Sequence, residues 1–139
     1  MKWQKYFIVL ITLLLLVGSG CAKNEEQIID VQKRVGEENN YEDFHKISDH
    51  ELVQKVKEIV RDVDWEMAKV EMARPADYRF AFQFKNPNAE AKAVLYELWI
   101  SPNKDKVELV IEAESKYAQL NEKDSAALFE IVTGEKLSN

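Results

Sequence analysis

Aromatic side chains recur at every second position in Tyr78, Phe80, Phe82 and Phe84, alternating with Arg79, Ala81 and Gln83. Residues two apart share one face of a strand but fall on different sides of a helix. The run therefore predicts a β-strand with a ring-covered face over a core and a mostly polar face opposite. A strand needs partners, and the flanking sequence supplies them. Arg74-Pro75-Ala76-Asp77 and Asn86-Pro87-Asn88 read as the turns on either side. Lys92 to Ser101 carries apolar residues on both faces: Val94, Tyr96, Leu98 and Ile100 on one, Leu95 and Trp99 on the other. Pro102-Asn103-Lys104-Asp105 turns the chain into a strand built on Val107, Leu109 and Ile111, and Lys116–Leu120 reads as a further short extended piece. Trp65 to Met72 is β-like with mixed alternation. Upstream, the alternation of Ile29, Val31 and Val35 predicts a short strand over 28–35. Gly36–Asn40 then turns it into a second strand at Tyr41–Ile47.

Two segments follow helical spacing instead. Ser48-Asp49-His50-Glu51 has the form of a capping box, serine first and glutamate three residues on. Leu52, Val56, Ile59, Val60 and Val63 then mark one face of a helix over 49–62. Near the C-terminus, Asn121 is placed to cap a helix whose stripe is Ala127, Leu128, Ile131 and Val132, with Gly134 where a terminating glycine belongs. Consecutive strands with short connections imply an antiparallel meander of about four to six strands. The two amphipathic helices would pack on one of its faces, giving an α+β fold.

The N-terminus carries a different message. Lys2 and Lys5 precede the uncharged run Tyr6–Val17, whose 12 residues are too few for a spanning helix, which needs about 20. A basic start, a short apolar centre and the small residues Gly18-Ser19-Gly20 make up an export signal. Cys21 follows at once, and the arrangement resembles the lipobox of bacterial lipoproteins, with Gly18 where a large aliphatic residue is usual. Cys21 is the only cysteine, so no intrachain disulfide can form. A lone thiol outside the cell is a liability, whereas an acylated one is an anchor. The expected organisation is a lipoprotein signal peptide at 1–20, a lipid-anchored tether at 21–40 that includes a short strand at most, and one extracytoplasmic domain at 41–139. Membrane lipid, held through Cys21 at the outer face of the cell membrane, is the first expected partner.

Cleavage after Gly20 removes two lysines and no acid, which takes the net charge of −6 to −8. An acidic balance speaks against nucleic acid and against hugging anionic lipid, so the domain is expected to stand off the membrane.

The runs VDWEMAKVEMARPADYRF, LYELWISPNKDKVELV and LNEKDSAALFEIVTGEKLS, between about Ile47 and Asn139, resemble a family of small surface lipoproteins of Bacillus and its relatives. The resemblance implies a Gram-positive surface lipoprotein and supports the reading of Cys21. It carries over no catalytic or ligand residue.

Few residues offer chemistry. The mature chain has only Gly36 and Gly134, so no phosphate-cradling glycine loop is present. His50-Glu51 opens like a zinc-protease motif, but position 54, where the second histidine belongs, is Gln54. His45, His50 and Asp49 remain weak candidates for a metal site. No catalytic residue and no cofactor is expected. With helices covering one sheet face, Trp99 and Leu95 on the other mark a candidate interaction face. The expected role is a non-enzymatic binding or assembly module for an envelope protein or peptide. The alternative is a binder of a small ligand or divalent cation.

Overall fold

In the computed structural model, which describes residues 26–86, 88 and 93–137, the chain forms one antiparallel sheet with two helices in contact with it. The strands are β1 (Gln27–Arg34), β2 (Tyr41–Ile47), β3 (Glu66–Met67), β4 (Tyr78–Phe84), β5 (Leu95–Ile100), β6 (Val107–Ile111) and β7 (Lys116–Gln119). The helices are α1 (His50–Asp62) and α2 (Glu122–Thr133). Strand order across the sheet is β2-β1-β4-β5-β6-β7-β3, seven strands where the sequence suggests four to six. Among them the predicted first hairpin joins the sheet in full, and the two-residue β3, within the β-like stretch, pairs with β7.

That hairpin shifts the domain boundary. The expected tether over 21–40 includes a short strand at most, yet β1 lies between β2 and β4 and pairs with β4 from Gln27↔Phe84 to Lys33↔Tyr78. Its Ile29 and Val31 are 0% and 2% exposed, which makes β1 a core strand and starts the folded domain at β1 instead of at Tyr41. Residues 1–20, Cys21 and parts of two expected features, the turn at Pro87 and the strand start at Lys92, lie outside the described residues.

One face of the sheet carries the main core. Ile29, Val31, Tyr78, Phe80, Leu98, Val107 and Leu109 meet Val53, Val56 and Val60 of α1 and Leu128, Phe129 and Val132 of α2 in a single cluster. Within it the Phe80 and Tyr96 rings stack at 5.0 Å, and Phe82 meets Tyr96 edge-on at 5.9 Å. The helix ends follow local chemistry with one correction. Asp49, not Ser48, caps α1, its carboxylate accepting from the Leu52 N–H at 3.1 Å. The helix accordingly begins one residue later than read from the sequence and buries Val53, while Leu52 stays 40% exposed. At α2, Asn121 accepts from the Asp124 N–H and Gly134 ends the helix at φ 75°, as the sequence predicts.

Candidate functional site

The helix-free face of the sheet divides into a covered half and an open half. Over β5–β7 the chain from Ala68 to Asp77 forms a cover. Beneath it Trp99 is 5% exposed and packs with Ala76 and Val110, with Tyr41, Met72 and Tyr117 at the margin. Specific bonds hold this cover down. The Trp99 indole N–H donates to the Arg74 carbonyl at 2.8 Å, and the Tyr41 hydroxyl donates to the Ala76 carbonyl at 2.8 Å. The Asp77 carboxylate accepts from Arg74 at 2.5 and 2.9 Å and from the Ile100 N–H at 2.8 Å, with Arg34 3.6 Å away. Beside it the Arg79 guanidinium lies 3.8 Å from the centre of the Tyr41 ring, 2.9 Å from Glu97 and 2.9 Å from Asn39. Charge-assisted bonds of this kind, partly screened from water, fix geometry more firmly than surface pairs.

Over β1, β2, β4 and the start of β5 nothing among the described residues lies on the sheet, and a groove of about 480 Å³ remains. Its walls mix charge, amide and apolar groups. Asp30 pairs with Lys46 at 3.5 Å, and Gln32 donates to Asp43 at 3.3 Å. Gln83 and Leu95 line the far side, Leu95 being 43% exposed. Along the groove runs β2, the edge strand. Between its pairs Val31↔His45 and Gln32↔Asp43 the register shifts, so Phe44 is an extra residue that bulges out of the ladder. Its ring sits 5.7 Å from that of Tyr78. An edge strand beside a groove of alternating donors and acceptors can bind an extended chain through backbone bonds and select it by side chain.

The residues singled out in the sequence separate here. Leu95 and His45 both line the open groove. Trp99, on the same sheet face as Leu95, lies under the cover instead of in an exposed patch. His50 and Asp49 sit at the start of α1, exposed, with the Asp49 carboxylate engaged in capping. Among the described residues no group of three or more His, Cys, Asp or Glu side chains converges on a metal position. The Arg34–Arg74–Asp77 and Tyr41–Arg79–Glu97 networks escape a reading of the sequence, because outward charges on a strand ordinarily just face water. The one sequence signal was the close spacing of Arg74 and Asp77 around Pro75.

Comparison with solved structures finds a thioesterase-like protein from Clostridium sporogenes ATCC 15579, with a TM-score of 0.53 and 16% sequence identity over 75% of this chain and 91% of that one. At that identity the likeness speaks for the fold alone. Comparison with the curated proteins finds no match. A sequence model of the YhfM protein family matches residues 22–138, nearly the whole of the chain after Cys21. The chain belongs to the YhfM protein family.

Proposed function

We propose that this protein is a surface lipoprotein of the kind found in Bacillus and its relatives. In this reading it is exported, held to the outer face of the cell membrane by lipid on Cys21, and acts as a non-enzymatic binding module for an envelope protein or peptide. The anchor rests on the short apolar run and the solitary cysteine. The binding role rests on one observation, the open groove beside edge strand β2 with exposed Leu95 in its wall. A segment laid across this face of the sheet would meet Lys46, Asp30, Gln83 and Leu95 in turn, and one that continued past the outer edge of β2 could bond its free backbone groups.

Photo-cross-linking in intact cells tests the role. A benzophenone amino acid at Gln83 or at Leu95 should capture an envelope protein. The same group at Asn103, in the turn at the other end of β5, should not. No adduct from positions 83 and 95, or an identical adduct from 103, would overturn the groove as the contact site.

A further inference from the structure

A second opening lies on the other side of the sheet, between α1 and the ends of β4 and β5. Half-buried Phe82, Phe84 and Tyr96 line it, with Val60 from the helix and Val94, 37% exposed, at its lip. Lys57, Glu58 and Arg61 of the helix also line it, the Lys57 ammonium 5.9 Å from the centre of the Phe82 ring. Large rings reached by solvent beside a cation have the composition of an interfacial contact, apolar body inward and charge at the edge.

The position of this crevice says what covers it. Gln27, the first residue of β1, pairs with Phe84 and itself lines the crevice. Glu26 is fastened at the same place: its carbonyl accepts from the Lys85 N–H at 2.9 Å and its carboxylate lies 3.1 Å from the Lys85 ammonium. Only residues 22–25 separate Glu26 from Cys21. Five Cα-to-Cα steps reach at most about 18 Å, even fully extended. A tether of some twenty residues would have let an acidic domain stand clear of the bilayer, but one this short does not. Headgroups and the first carbons of the acyl chains span a comparable depth, and apolar faces that bind membranes sink about 5–10 Å into that zone.

We infer that the Phe82–Phe84–Val94 crevice is the membrane-facing surface of the domain, covered by the same bilayer that holds the lipid on Cys21. This inference rests on the lipid-anchor reading above. It orients the molecule: the β1 start and the β4–β5 end point at the lipid, and the turn after β5 points away. The mature charge of −8 repels anionic headgroups, so the contact is apolar and short-ranged, forced by the tether and not by attraction.

The test uses the full lipidated protein in vesicles of phosphatidylcholine and phosphatidylglycerol. A polarity-sensitive fluorophore is placed on Val94→Cys or, as control, on Asn103→Cys, and quenched by lipids carrying a nitroxide in the acyl chain. Quenching at 94 should exceed that at 103 several-fold, and a flexible Gly/Ser insertion between Lys23 and Asn24 should reduce the difference. Equal quenching at the two positions in vesicle-bound protein would overturn the inference and leave the anchor standing. Absence of a diacylglyceryl adduct on Cys21 by mass spectrometry, with protein in the supernatant, would instead withdraw the anchor reading and this inference with it.

Discussion

Asp77 ties three separate parts of the chain together. It ties the cover to β5 through the Ile100 N–H, binds Arg74 in a two-point fork and sits 3.6 Å from Arg34, whose Nε is already buried without a hydrogen-bond partner. Asp77→Ala leaves the Ile100 N–H without its acceptor, removes the Arg74 fork and takes the nearby carboxylate away from Arg34. Charged bonds at a partly buried site are worth about 1.5–3 kcal/mol each in mutational loss and do not add, so a destabilisation of about 2–3 kcal/mol is expected in urea unfolding. Tyr117 gives the residue scale its pH dependence. Burial, and then the 2.5 Å hydrogen bond its hydroxyl donates to Glu108, push its pKa from 10.0 up to about 12. A raised pKa means the neutral phenol is favoured in the folded state. Its stabilisation is therefore complete below pH 10 and is lost as pH climbs towards 12. Unfolding midpoints measured across that window should fall, and Tyr117→Phe should flatten the slope. Neither residue's role was visible in the sequence. Each depends on a partner 23 residues away, for Ile100, or on a neighbouring strand, for Glu108.

Among the elements, legibility followed the range of the interactions that shape them. The aromatic alternation at 78–84 specified β4 because burial on one face leaves a single register, and a one-residue slip would turn four rings to the polar side. Both helices were legible from spacing and caps, which are local. Trp65–Met72 was not: only Glu66–Met67 pair as a strand, and the chain beyond Met67 is held by Trp99 and Ile100, distant in sequence. The same distance explains Trp99. Its place on the face opposite the helices could be read from the sequence, but the cover over it could not. At the start of α1 the capping-box pattern points to Ser48, and the geometry selects Asp49 instead, whose backbone is extended and whose carboxylate reaches the Leu52 N–H. Asp49→Ala should cost about 1 kcal/mol in thermal or urea unfolding, and Ser48→Ala close to nothing. An equal loss from both would mean that the capping box operates after all.

For the molecule as a whole, β1 decides where the folded domain begins and, if Cys21 is lipidated as proposed, how near the membrane it rides. A fragment starting at Tyr41 lacks the strand between β2 and β4 and exposes Tyr78, Phe80 and β2 to water. It should show no cooperative unfolding transition, whereas one starting at Glu26 should unfold as sharply as the mature chain. A cooperative transition from the shorter fragment would return β1 to the tether. The two proposals use different sides of the folded unit: the binding proposal the open groove beside β2, and the membrane-contact proposal the aromatic crevice at the β1 entry. The membrane-contact proposal depends on processing after Gly20 and acylation at Cys21. The direct measurement is mass spectrometry of the N-terminal peptide of the protein recovered from membranes. The expected peptide begins at Cys21 and carries a diacylglyceryl group, with residues 1–20 gone. A membrane-bound protein that retains residues 1–20, or one that begins at Cys21 with a free thiol, would refute the lipid anchor.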